Sequence, residues 1–388
     1  MKVGLIGYGK MGRGIFSLLT AAPLEIVVLD VDPNEMERQN HRFRKRLQRA
    51  AAGGMLGEAE HQKQLAGTRF TTSWRDLRDC DLIIETVVED LETKIEVLRR
   101  AEETVAPQCV IASNTSSFSI NRLAACLRDP SQFCGYHFFH PVQLTSIVEI
   151  ITSKHTSPAA VDFLRGVSRD IGRTPLLMKD WGGSCVNIAL TFQSCEALYV
   201  LEEGLALPSE IDALAKQFAR IGPCESLDVV GISFFNDIFH RMLADFPFDL
   251  PVPGLLEKLV RDGRFGKQAG RGLYLYVDDK PDDDAREYYV NPASARPAGT
   301  PPLDENRLIE RLLFSIYFSV LRVAEMGLGD LGDLCFGIQD LIGMRIDPME
   351  EIVKLGSDGL RAAFNRLRDE LGPRYDYPKV EGVIASLG

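Results

Sequence analysis

The sequence is poor in the features that mark several large functional classes. It has eight cysteines, but Cys80, Cys109, Cys126, Cys134, Cys185, Cys195, Cys224 and Cys335 are scattered, with no CxxC pair. Neither the cysteines nor the six histidines fall at metal-ligand spacing, so a structural zinc site or disulfide framework is not expected, and the metal expectation is none. No apolar run approaches the roughly 20 residues of a membrane span. The chain opens on MKVGLIGYG without a cationic leader, so the cytoplasm is the expected compartment. A surplus of positive charge is also missing. The formal net charge of -11 makes a nucleic-acid backbone a poor partner, although acidity of this size does not identify a substrate.

What is present is a large core-forming fraction, 45% hydrophobic in 388 residues, enough for two or three domains. At the start, KVGLI is a short run of strand formers followed at once by GYGKMGRG, in which Gly7, Gly9 and Gly12 fit GxGxxG. GIFSLLTAA then continues with helical periodicity. Strand, tight turn and helix in that order would lay a pyrophosphate against the free N–H groups of a helix N-terminus. A second strand, LEIVVLD, ends in Asp30, where a carboxylate can accept hydrogen bonds from an adenosine ribose and repel a 2′-phosphate. NAD is therefore the expected cofactor, with Arg38, Arg42 and Arg44 following as residues able to soften that repulsion.

RFTTS, DLIIETVVE and CVIASNTSS read as further strands of one parallel sheet, each trailed by polar residues. The fold expected is an α/β Rossmann-type dinucleotide-binding domain followed by all-α domains. Glu89, Lys94, Asn114 and Ser116 then fall on loops at the carboxyl edge of the sheet, where ligands of such folds bind. HFFHPVQLTSIVE poses a mechanistic question. A strand, a turn through Pro141 and a returning strand would bring Glu149 alongside His137. Hydride removal from a secondary alcohol needs the hydroxyl proton to leave as well, and an imidazole oriented by a carboxylate can accept it.

Taken together, the glycine turn with Lys10 and Met11, VVEDLETK, SNTSS, HFF followed by proline, VEI and GRFGKQAGRGLYLY resemble the L-3-hydroxyacyl-CoA dehydrogenase family, in order over roughly residues 1 to 277. The resemblance implies NAD-dependent oxidation of a 3-hydroxyacyl-CoA, or the reverse reduction. It assigns the catalytic base to His137, its partner to Glu149 and substrate positioning to Ser116 and Asn187. It also places Glu89 and Lys94 at the nicotinamide ribose end of the cofactor. Two departures stand out: HFFHP, with His140 where the family usually has asparagine, and KDWGGSCVNIAL, where proline and PGF are common. Both bear on the substrate pocket, together with Arg42 and Lys45 as candidates to meet the CoA phosphates.

The expected domains are 1–182 (NAD-binding), 183–277 (helical), 278–303 (a linker rich in Asp, Pro, Ala and Gly) and 304–388. The last is a degenerate second helical module: LRVAEMGL echoes LYVLEEGL, and IDPMEEIVKLG echoes IGPCESLDVVG. The tandem copy could cover within one chain the face through which shorter family members dimerise. A homodimer remains the expected state, and a clean 43 kDa species in light scattering would sink it. Alternative functions are a family relative acting on a carrier-protein-bound hydroxyacyl group, a sugar acid or a carnitine-like hydroxy acid, and a non-catalytic NAD-binding protein.

Overall fold

A computed structural model describes residues 1–245, 250–293 and 304–386. Two compact units are resolved, Met1–Ser184 and Cys185–Gly388.

The first unit is built on an eight-stranded sheet in the order β3-β2-β1-β4-β5-β6-β7-β8. Its strands are β1 (Lys2–Ile6), β2 (Glu25–Leu29), β3 (Thr68–Thr71), β4 (Leu82–Glu85), β5 (Val110–Ser113), β6 (Phe133–Phe138), β7 (Ile147–Thr152) and β8 (Thr174–Lys179). All neighbours are parallel except β6 and β7, so β7 and β8 run against the rest. Parallel strands need crossovers. These are supplied by α1 (Lys10–Leu19), α2 (Pro33–Ala52), α3 (Glu58–Gly67), α4 (Leu91–Thr104), α5 (Ile120–Ala124) and α6 (Pro158–Asp170).

Strand pleat decides which residues can meet. Leu82 and Ile84, Val110 and Ala112, Tyr136 and Phe138, and Val148 and Ile150 belong to one apolar cluster with Ile15 and Phe16 of α1, Met36 and Phe43 of α2 and Leu164 of α6. Because successive side chains alternate between faces, Glu85, Ser113, His137 and Glu149 all stand on the opposite face, on four adjacent strands.

The second unit is helical. It comprises α7 (Cys185–Glu202), α8 (Pro208–Ala215), α9 (Pro223–Val230), α10 (Ile232–Asp245), α11 (Gly254–Arg261), α12 (Arg286–Tyr289), α13 (Glu305–Glu325), α14 (Leu331–Ile342), α15 (Pro348–Leu371) and α16 (Glu381–Ala385). A small hairpin of β9 (Leu275–Val277) and β10 (Lys280–Asp282) completes it. The segment expected as a linker is therefore partly ordered: it holds β10 and α12, with Tyr289 buried, while 294–303 lie outside the described residues.

The motif GRGLYLY has a structural job here. Asp228 accepts hydrogen bonds from the Leu273 and Tyr274 N–H groups and the Tyr276 hydroxyl. Asp212 takes those of Cys224 N, Glu225 N and the Tyr274 hydroxyl, and burial pushes its carboxyl up to about 6. Two buried carboxylates thus pin the hairpin to α9. Both copies of the echoed segments are helical in the same order, with Gly204 and Gly327 in the left-handed region after α7 and α13.

Candidate active site

The glycine turn has the geometry that a bound dinucleotide demands. Gly7 has φ +94°, closed to most side chains. A Cβ on Gly12 would sit 2.1 Å from the Gly7 carbonyl oxygen, so the start of α1 can lie against β1 only with a hydrogen there. A Cβ on Gly9 would meet nothing within 4 Å, and no side chain caps α1. That uncapped first turn lies at the positive end of the helix, which suits a pyrophosphate. Lys10 is exposed and Met11 half-buried on the same turn.

Asp30 does more than wait for a ribose. One carboxylate oxygen accepts from Tyr8 N and the other from Val31 N, each at 2.7 Å, which ties the glycine turn to the end of β2. Each oxygen keeps a lone pair free, so the same residue can both shape the turn and receive the adenosine hydroxyls.

At the carboxyl ends of β4 and β5 lies a buried charge network that sequence reasoning only half found. Lys94, 1% exposed, places its ammonium 2.8 Å from Glu85 Oε1 and 3.2 Å from Glu89 Oε2. Glu89 Oε1 accepts from the Thr115 and Ser117 hydroxyls at 2.6 and 2.9 Å, and from the Ser116 and Ser117 N–H groups at 3.2 Å. Burial alone would raise the Glu89 carboxyl, but Lys94 and these hydroxyls outweigh it and hold it below the usual carboxylate range. Burial likewise opposes the charge on Lys94, and the two carboxylates overcome it, raising the ammonium above its ordinary value. Lys94, expected at the ribose, has its ammonium buried between Glu85 and Glu89. Glu85, Ser113, Thr115 and Ser117 were not anticipated. The signal was a carboxylate closing the apolar run LIIE, nine residues before a lysine.

His137 and Glu149 are directly paired across the antiparallel β6 and β7. His137 Nδ1 lies 2.8 Å from Glu149 Oε2, with the histidine 5% and the glutamate 0% exposed. Phe139 packs edge-on against the imidazole at 4.5 Å between centroids, and Nε2 has no partner among the described residues. Asn114 Oδ1 accepts the Phe138 N–H at 2.9 Å, fixing the end of β6 to the loop after β5. Ser116, half-buried on that loop, has no hydrogen bond to its hydroxyl among the described residues, while its carbonyl accepts Ser184 N. Asp180 ties the same region together by accepting from Ser119 Oγ, Ile120 N and Asn121.

His140 follows the strand and is exposed. Partial burial and the nearby Lys10 ammonium lower its pKa, so at neutral pH it is an uncharged imidazole that donates once and accepts once. Like the amide usual at this position, it can both donate and accept, though only once each. Asn187 lies in the first turn of α7, in the second unit. Arg42 and Lys45 are exposed on α2, on the first unit. No cluster able to hold a metal occurs among the described residues, and no helix is long and apolar enough to cross a membrane.

Comparison with known proteins places these features in a family. Residues 2–181 match the 3-hydroxyacyl-CoA dehydrogenase NAD binding domain, and residues 183–276 match the 3-hydroxyacyl-CoA dehydrogenase C-terminal domain. A 3-hydroxybutyryl-CoA dehydrogenase of Mycobacterium tuberculosis is 34% identical over 281 residues, covering 71% of this chain and 98% of that protein. A fatty acid oxidation complex subunit alpha of Shewanella amazonensis is 31% identical over 350 residues, 87% of this chain; the match spans about half of that longer relative, 48%. The crystal structure of 3-hydroxybutyryl-CoA dehydrogenase from Escherichia coli K12 has the same fold, with a TM-score of 0.84 at 21% identity over 100% of this chain and 99% of that one. That likeness of fold extends past residue 276, where the second family domain ends. The chain belongs to the 3-hydroxyacyl-CoA dehydrogenase family of NAD-dependent oxidoreductases.

Proposed function

We propose that this chain interconverts a 3-hydroxyacyl-CoA and the 3-oxoacyl-CoA, with His137 as general base in oxidation and general acid in reduction. The observation that carries the reading is the buried 2.8 Å contact between His137 Nδ1 and Glu149, which leaves Nε2 as the nitrogen to meet substrate. Bound NAD supplies the hydride acceptor. The chain's own residues do the rest. Glu149 holds the Nδ1–H tautomer and stabilises the imidazolium as the hydroxyl proton arrives at Nε2. The Ser116 hydroxyl and Asn187 are assigned to hydrogen-bond the substrate by their places in the family motif. The glycine turn with Lys10 and Met11 holds the pyrophosphate, Asp30 the adenosine ribose, and Asn114 and Glu89 the nicotinamide half.

Asp30 should make NADH bind more tightly than NADPH in a fluorescence titration. Equal or reversed affinities would mean that the arginines of α2 control that pocket instead.

Selectivity for the acyl group should come from the pocket wall, where His140 and residues 181–185 depart from the family pattern. An uncharged imidazole still donates and accepts, but with fewer hydrogen bonds than an amide and more bulk, so both the shape and the polar contacts of the wall change. We expect acetoacetyl-CoA to be reduced with NADH, though less well than a bulkier or more polar 3-oxoacyl thioester. His140→Asn should move preference toward the short chain. A panel of CoA thioesters, carrier-protein thioesters and free hydroxy acids, followed at the NADH absorbance, tests this. Activity confined to free acids would overturn the thioester reading. Arg42 and Lys45, exposed on α2, are assigned to the CoA phosphates. Within one chain α13 packs on α7 and takes up that face, so the homodimer expected from the sequence would have to form through another.

A further inference from the structure

Glu85 takes part in no step of the mechanism above, yet it is among the most deeply buried charged groups of the first unit. It accepts the Lys94 ammonium and the Val87 N–H on one oxygen, each at 2.8 Å, and the Ser113 hydroxyl on the other at 2.5 Å. With all its hydrogen bonds accepted and none donated, its geometry is that of a carboxylate. Lys94 is shared between Glu85 and Glu89, so the cluster holds two negative charges against one positive. A structural ion pair would need only one carboxylate. The second leaves a net charge of -1 in a site screened little by solvent.

The position of that charge follows from register. Glu85 pairs with Ser113, and Ser113 with Gly135, two residues before His137 on the same pleat face. Glu85 and His137 are therefore two strand spacings apart across the sheet and two residues apart along it, about 12 Å. In a fold of this kind the phosphates lie at the β1–α1 turn, the adenosine over β2, and the nicotinamide over the β4 side of the switch point. The ring must also approach the carbon whose hydroxyl His137 serves. It is cationic when oxidised and neutral when reduced, whereas the rest of the dinucleotide is the same in both.

We propose that Glu85, acting through Lys94 and Glu89, is a positioning residue whose uncompensated negative charge favours the oxidised over the reduced nicotinamide and so biases the bound cofactor toward hydride release. The proposal rests on NAD binding at this edge. A unit charge about 12 Å away, at an effective dielectric of about 20, changes such a preference roughly tenfold.

The test is a pair of dissociation constants and does not require turnover. NADH affinity is read from its fluorescence and NAD⁺ affinity by competition, for the parent chain, Glu85→Gln and Ser113→Ala. Glutamine keeps the shape and can donate to Ser113 Oγ, so Glu85→Gln should raise the ratio Kd(NAD⁺)/Kd(NADH) roughly tenfold. Ser113→Ala removes a hydrogen bond but no charge and should leave the ratio unchanged. A Glu85→Gln ratio within twofold of the parent, or equal weakening of both nucleotides, would mean that Glu85 only supports the fold. Should Glu85→Gln fail to fold, Glu89→Gln neutralises the other carboxylate and must move the ratio the same way; a shift in the opposite direction overturns the proposal. A parent chain that binds neither nucleotide overturns the cofactor reading itself, and this proposal with it.

Discussion

Replacing His137 by glutamine lowers turnover by roughly 10²- to 10⁴-fold while leaving NADH affinity nearly intact, the effect of a lost general base. Glutamine preserves bulk and some hydrogen bonding, but its amide cannot take a proton at neutral pH. The cofactor elements, β1, α1 and the Asp30 carboxylate, lie on other strands and are untouched. Glu149→Gln should also lower turnover, because an amide beside Nδ1 neither stabilises the developing imidazolium nor fixes the tautomer. The two residues act as a unit, so the double variant should be little worse than His137→Gln alone. A primary isotope effect with deuterated NADH establishes that chemistry limits the rate. Near-parental turnover in either single variant under that condition would remove the dyad from the mechanism.

How much of this was legible in the sequence depends on the distance over which each interaction acts. The glycine turn is local: a strand, three glycines and a helix lie within 19 residues, and backbone conformation alone dictates Gly7. The His137 and Glu149 pair is nearly local, since one hairpin with an eight-residue connection sets them opposite each other. Glu89 was placed on the right edge by the rule that polar residues follow parallel strands. Glu85 was not, because a carboxylate inside LIIE reads as the end of a buried strand until Lys94, in the first turn of the next helix, is folded against it. Asp180, which caps α5 from about 60 residues downstream, carries no sequence signature beyond its own charge. The second unit shows the same limit more strongly. GRGLYLY was legible as a family motif, but its role in satisfying Asp212 and Asp228 required structure, since those partners lie 45 to 62 residues away. Arg311 on α13 was not singled out, because an arginine inside a helical stretch reads by default as a solvated side chain.

Arg311 is instead 1% exposed, and its substitution should cost more stability than that of any surface charge. Its Nε donates to Glu196 Oε1 at 2.6 Å, and its two terminal nitrogens donate to Glu203 at 2.7 and 3.1 Å. Glu196 also accepts from the Tyr375 hydroxyl at 2.9 Å and faces Arg374 at 3.2 Å. The guanidinium on α13 thus satisfies two carboxylates on and just beyond α7, fastening α13 to α7 within the second unit. Burial would raise the Glu196 carboxyl, but Arg311 and Arg374 prevail and hold it below the usual range. Its contribution to stability is therefore present above the unfolded value and lost as pH falls through the lower folded one. Arg311→Met removes the cation and leaves Glu196 and Glu203 desolvated, with Arg374 as partial compensation. Breaking a buried pair in this way costs about 3–5 kcal/mol, and the remaining arginine argues for the lower figure. For a unit of this size that is a fall in Tm of roughly 6–12 °C. Replacing Glu196 by Gln in the Arg311→Met background should recover part of the loss, because one stranded charge goes with it, whereas an additive further loss would be expected of unrelated sites. A Tm for Arg311→Met within about 2 °C of the parent in calorimetry would show that the network contributes nothing net and that apolar packing between α7 and α13 alone holds the two helices together.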